Sequence, residues 1–277
     1  MNVFDQMLSR YEVSANNDNT NAVHEVMQQV ALAGLYRGGF FDKASFYGGT
    51  CLRIFHGLQR FSEDMDFSLL QPDDKFSLED YFNPIIEEFK SLGRDVVITK
   101  KIKKNQTNIE SAFLKEDTVM FDLQFTTKRS IKIKLEVDIN PPLGFSTEPK
   151  LLLLPYSFMT RCYTLPDLYA GKLHALLFRN WKSRVKGRDW YDFEWYVRNN
   201  VKLDFKHLCE RMNQFNSIKV GELTPESFKA LLKEKIAHTN IESVKTDLSP
   251  FIKNHQEMDI WSVDYFTQLI DMIQFGN

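Results

Sequence analysis

Residues 46–70, FYGGTCLRIFHGLQRFSEDMDFSLL, carry the residue types and spacing best suited to chemistry in this chain. Asp64 and Asp66 stand two apart in a run that reads as a β-strand, where successive side chains point to opposite faces. Met65 and Phe67 then face a core, and both carboxylates project together to the other side. Two neighbouring carboxylates are costly unless something positive sits between them. A hard divalent cation such as Mg²⁺, held by one or two carboxylates plus substrate phosphates, meets that need. Gly48, Gly49 and Thr50 lead into a short helix at 51–57, where missing side chains and backbone N–H groups admit a phosphate chain. A bare pair of aspartates also describes a solvated strand edge; the glycine–hydroxyl element beside it favours the metal. Phosphate cradle and metal pair, one helix apart, imply nucleotide chemistry.

Nucleotidyl transfer uses two metals about 4 Å apart on the attacking and leaving oxygens. Two aspartates on one strand supply much of such a site, and a carboxylate from a neighbouring strand completes it. Asp138 is the candidate, near the end of the alternating run 131–139; Glu136 shares its polar face and competes with it. A second constellation lies downstream: AGKLHALL at 170–177, then Arg188-Asp189-x-x-Asp192. Lys172 is a compact cation suited to the phosphates of a nucleotide as charge develops. Asp189 and Asp192, three apart, share a helix face, where they can orient Lys172 or help hold metal or nucleotide. Arg188 can pair with phosphate. The bland reading is a helix lysine and an acidic first turn that suits the helix dipole.

Gly48-Gly49-Thr50 followed by Arg60-x-Ser62-x-Asp64-x-Asp66 resembles the signature of the AbiEii/AbiGii-type toxin nucleotidyltransferases, a branch of the DNA-polymerase-β-like superfamily. The lysine helix and the Arg188–Asp192 start are similar to the later motifs of that family, so the resemblance covers about residues 20 to 200. Thr50 stands where many relatives have Ser, Gly171 where an acidic or polar residue is more usual, and the spacing between the motifs is slightly long. The resemblance implies a Mg²⁺- or Mn²⁺-dependent enzyme moving an NMP from an NTP to an acceptor hydroxyl. Asp64, Asp66 and Asp138 would hold metal, with Lys172 catalytic beside them. Gly48, Gly49, Thr50, Arg60, Ser62, Lys172, Arg188, Asp189 and Asp192 would bind the nucleotide. It also implies a toxin of abortive infection and phage defence, a cognate antitoxin, and the tRNA 3′ end as acceptor. A small-molecule or protein acceptor, or a non-catalytic nucleotide-binding module, are the alternatives.

The chain has 277 residues, 43% of them hydrophobic and 23 of them Phe, enough for an aromatic-rich core. Lys plus Arg (35) nearly balance Asp plus Glu (37), so contact with an RNA must come from local patches. Three such runs occur: Lys100, Lys101, Lys103 and Lys104; Lys128, Arg129, Lys132 and Lys134; and Arg179, Lys182, Arg184, Lys186 and Arg188, with Trp181 and Trp190 as stacking platforms. Cys51, Cys162 and Cys209 form no CxxC and suit reduced thiols, and the six His show no metal-ligand spacing. With no signal-like start and no apolar run near about 18 residues, a cytoplasmic protein without membrane contact is expected.

The elements that position these residues follow from periodicity. Residues 1–17 read as an irregular lead-in, 18–36 as a helix, and 77–92 as a helix capped by Ser77 and ended by Gly93. Strands are expected at 96–102, 111–114, 119–125 and 131–139, with a short one at 151–154. From Pro166 the pattern turns helical, with helices at 166–180 and 189–199 and more beyond. The expected architecture is α+β: a nucleotidyltransferase-like domain at 1–160 with a mixed or antiparallel sheet, then a helical bundle at 161–277, with the catalytic cleft between them.

Overall fold

The computed structural model describes residues 2–11, 16–100, 118–126, 131–179, 185–219 and 221–276. The chain divides into two compact units. The first comprises Met1–Gly57, Ser62–Pro141 and Thr147–Cys162; the second comprises Leu58–Phe61, Pro142–Ser146 and Tyr163–Asn277.

In chain order the first unit carries α1 (Val3–Leu8), α2 (Asn16–Arg37), β1 (Ala44–Tyr47), α3 (Gly48–His56), β2 (Asp64–Leu69), α4 (Phe82–Ser91), β3 (Val96–Lys100), β4 (Thr118–Phe125), β5 (Lys132–Asp138), β6 (Thr147–Leu152) and β7 (Phe158–Tyr163). The strands form one sheet in the order β3-β4-β5-β2-β1-β7-β6. β2 runs parallel to β5 and β1 to β7, while β1/β2, β3/β4 and β4/β5 are antiparallel, so the sheet is mixed. β2 and β5 lie at its centre because one face of each is wholly apolar. Met65, Phe67, Ile133, Leu135 and Val137 have no solvent exposure. Phe40 and Phe46 close on Phe67 with ring centroids 5.0 and 5.1 Å away. α2 and α4 pack at Gly34, where a Cβ would lie 2.6 Å from the Ile85 Cα.

The second unit contains α5 (Leu165–Phe178), α6 (Gly187–Arg198), α7 (Phe205–Asn216), α8 (Pro225–Ala237), α9 (Ile241–Leu248) and α10 (Val263–Asp271). Its core is aromatic: Phe266 of α10 meets Trp190 at 5.0 Å and Trp261 at 5.1 Å, edge to face. Buried Glu194 accepts hydrogen bonds from Trp261 Nε1 at 2.7 Å and Tyr265 Oη at 2.8 Å.

Four elements differ from the sequence expectation. The lead-in contains α1, capped by Asn2, with Phe4 and Met7 buried. Residues 77–92 are not one helix: Ser77 caps a 3₁₀ turn at Leu78–Tyr81, and α4 begins only at Phe82. Pro84 has no N–H to donate into a helix running through from Ser77. β7 was not expected, although Phe158, Thr160 and Cys162 are buried in alternation with exposed Met159. β6 starts earlier than 151, at an edge that accommodates Pro149. The expected strand at 111–114 lies outside the described residues. All three cysteines are buried and free.

Gly34→Ala forces the α2 and α4 backbones apart and should lower stability by about 1–3 kcal/mol. Urea unfolding checks this; an unchanged midpoint would contradict the packing argument.

Candidate active site

In the first unit the chain leaves β1 at Tyr47 in extended geometry and enters α3 without a side-chain cap, so the N–H groups of Gly48, Gly49 and Thr50 open the helix. Gly48 is required twice over. Its φ is +82°, and a Cβ there would strike the Asp66 side chain, first at a carboxylate oxygen, with Cβ and Cγ 3.1 Å from that position. The register Tyr47↔Asp66 makes the contact: the Asp66 side chain packs against the start of α3. Thr50 is fully buried and its hydroxyl donates to the carbonyl of Asp64, fastening α3 to β2. Just before β2, buried Gln28 donates from Nε2 to the carbonyls of Ser62 (2.9 Å) and Glu63 (3.1 Å).

Asp64 and Asp66 share one face of β2, as their spacing requires. On parallel β5, about 4.8 Å away, Lys134 stands beside Asp64, Glu136 beside Asp66, and Asp138 beside Ser68. Glu136 is thus the direct cross-strand neighbour of Asp66, and Asp138 lies two residues further along. Lys134 is ion-paired to Glu136. Asp138 is buried and accepts from the Asn140 N–H at 3.2 Å. Among the described residues no three His, Cys, Asp or Glu side chains converge as a metal cage. The donor set, two carboxylates beside an uncapped helix start, fits a hard cation that takes its remaining ligands from water and phosphate.

In the second unit α5 presents Lys172 to two carboxylates of α6: its Nζ lies 2.8 Å from Asp189 Oδ1 and 2.7 Å from Asp192 Oδ2. Arg60 meets Asp192 bidentately, Nε–Oδ1 and Nη2–Oδ2 both 2.5 Å, and Arg179 Nη1 reaches Asp189 Oδ2 at 3.3 Å. Asp192 has no solvent exposure and Arg60 has 2%. Burial alone would raise both aspartate pKa values. Lys172, then Arg179 and Lys186, overcome it at Asp189, and Arg60, then Lys172, overcome it at Asp192, so both end below the usual range. Burial, helped by Arg179, brings Lys186 down to about 8. Arg188 lays its guanidinium over the Phe251 ring at 4.1 Å.

Of the residues singled out in the sequence, Gly48, Gly49, Thr50, Ser62, Asp64, Asp66 and Asp138 belong to the first unit, and Arg60, Lys172, Arg188, Asp189 and Asp192 to the second. Arg60 turns inward onto Asp192, although its motif position suggested a nucleotide contact. Sequence reasoning missed the Arg179–Asp189 pair, for which the basic run gave only a general signal, and the placement of Lys134 beside Asp64. Lys101, Lys103, Lys104, Lys128, Arg129, Trp181, Lys182 and Arg184 lie outside the described residues.

A mixed-sheet unit carrying a glycine-opened helix and a strand carboxylate pair, followed by a helical unit, is the arrangement expected of a nucleotidyltransferase. The family model of the nucleotidyl transferase AbiEii toxin, type IV toxin–antitoxin system, matches residues 30–275, so the chain belongs to that family. The protein is a nucleotidyltransferase enzyme and the toxin of a type IV toxin–antitoxin system. MenT4, the nucleotidyltransferase toxin Rv2826c from Mycobacterium tuberculosis H37Rv, has a similar fold: TM-score 0.62, 14% identity, covering 96% of this chain and 88% of that one. JHP933 from Helicobacter pylori aligns at a TM-score of 0.52 and 17% identity, over 94% of this chain and 93% of its own. No curated protein matches the chain.

Two outcomes follow from this geometry. An aspartate whose folded pKa is depressed adds stability above its unfolded value, about 3.9, and that stability is lost as pH falls through the folded value. Wild type should therefore lose more stability between about pH 7 and pH 3 than Asp192→Asn does; equal losses in urea unfolding would contradict the assignment. Gly48→Ala should displace the Asp66 carboxylate and cut nucleotide transfer about 10²-fold, and a fully active Gly48→Ala protein would refute the contact as a functional one.

Proposed function

We propose that the protein uses Mg²⁺ or Mn²⁺ to transfer a nucleoside monophosphate from an NTP to a hydroxyl of RNA, with the tRNA 3′ end as acceptor. The observation that carries this reading is the packing of Asp66 against Gly48. It puts a carboxylate beside the N–H groups that open α3, which supports a metal and a triphosphate meeting there. Asp64 and Asp66 would hold the cation, which when bound would supply positive charge to the phosphate oxygens. The acceptor oxygen bonds to the α-phosphorus, the bond from that phosphorus to its bridging oxygen breaks, and pyrophosphate leaves. A carboxylate of β5 takes the hydroxyl proton: Glu136, which the register puts beside Asp66, or Asp138, next along the face. Lys172, held between Asp189 and Asp192, offsets the charge that grows on the phosphates, with Arg188 in support.

The RNA acceptor is supported by the basic runs, of which Lys100, Lys132, Lys134, Arg179, Lys186 and Arg188 fall among the described residues. A cognate antitoxin is the protein partner, and the setting is the cytoplasm, where NTPs and tRNA coexist. Among the described residues no helix is long and apolar enough to cross a membrane.

Incubation with each α-³²P-labelled NTP, Mg²⁺ and total bacterial RNA should move label into a tRNA-sized band. Asp64→Ala should lower transfer by about 10²-fold or more while keeping the unfolding midpoint. Label on protein or on a small molecule would replace the RNA acceptor, and undiminished transfer by Asp64→Ala would remove the metal assignment.

A further inference from the structure

The buried ion-pair cluster carries an inference that rests on the proposed function and adds a role to it. We propose that Arg60 is a positioning residue for the transfer reaction: it fixes Asp192, through Asp192 it fixes the Lys172 ammonium, and it does not contact the nucleotide.

The donor directions of Arg60 point inward. Nε and Nη2 chelate Asp192, and Nη1 donates to the Phe61 carbonyl at 2.9 Å. Phe61 is itself anchored, its N–H donating to the Phe251 carbonyl at 2.8 Å. With 2% exposure, the guanidinium has no surface to offer a phosphate. Asp192 Oδ2 receives both Arg60 Nη2 and Lys172 Nζ. A lysine ammonium is a point charge on a flexible stem and acquires a fixed place only from groups that are themselves fixed. The planar fork of Arg60 engages both oxygens of Asp192 and so fixes the orientation of its carboxylate, which a lysine at position 60 cannot do. Lys172 is then shared between two buried, ion-paired carboxylates. Without Arg60, Asp192 would keep Lys172 as its cationic partner, and a buried carboxylate so placed would either bind a proton or draw the ammonium onto itself.

The test compares wild type, Arg60→Lys, Asp192→Asn and the double variant Arg60→Gln/Asp192→Asn. Affinity for an α,β-methylene NTP and the transfer rate are measured for each. Arg60→Lys keeps a cation beside the buried carboxylate, and the double variant removes both charges, so neither strands Asp192. Arg60→Lys should bind the analogue within about threefold of wild type and turn over about 10²-fold more slowly. The double variant should turn over within about threefold of Asp192→Asn alone, since once Asp192 is neutral Arg60 has no carboxylate to fix. Tenfold weaker binding by Arg60→Lys, unchanged turnover by it, or a further tenfold loss in the double variant would each overturn the positioning role. A wild-type protein that neither binds nor transfers nucleotide would overturn the functional reading itself, and this role with it.

Discussion

A charge with no solvent contact must be matched by its surroundings, and Asp192 is such a charge. Moving a carboxylate out of water costs several kcal/mol even after relaxation, so the fold that buries it must deliver partners in good geometry. Arg60 and Lys172 meet that requirement from very different distances along the chain. Arg60 lies 132 residues before Asp192, and Lys172 is on the preceding helix α5. The demand explains an otherwise odd feature of the topology: Leu58–Phe61, embedded in the sequence of the sheet unit, belongs to the helical one. α5 and α6 are held face to face by the same cluster, because Asp189 ties Lys172 to Arg179.

The first unit solves a different problem, that of placing acidic groups beside the amides of a helix without filling the space with side chains. The sheet does this by register. β1 and β2 bring Tyr47 and Asp66 abreast, the chain turns into α3 at the next residue, and only glycine leaves room for the carboxyl group. Thr50 spends its hydroxyl on the Asp64 carbonyl, so the hydroxyl of the motif fastens helix to strand. β5, parallel to β2, then lays Lys134, Glu136 and Asp138 along the same carboxylate face.

Much of this was legible in the residues. β2 and β5 alternate cleanly, α5 and α6 carry clear boundaries, and the glycine–carboxylate motifs fall at the β1–α3 junction and on β2. What escaped has physical reasons. α1 is only six residues long, too short for a helical period to stand out. The choice between Asp138 and Glu136 depends on strand offset, which a period of two cannot encode when both residues face the same way. Arg60 adjoins the carboxylate motif and so reads as a ligand. Its inward turn depends on a partner far away in sequence, invisible to any local pattern.

The measurement that tests the account most directly is a crystal structure of the protein with Mn²⁺ and an α,β-methylene NTP, using the anomalous signal of manganese to locate the metal. The account predicts manganese between the carboxylates of Asp64 and Asp66, with triphosphate oxygens at the amides that open α3. Manganese and nucleotide bound elsewhere, with those two aspartates untouched, would contradict it.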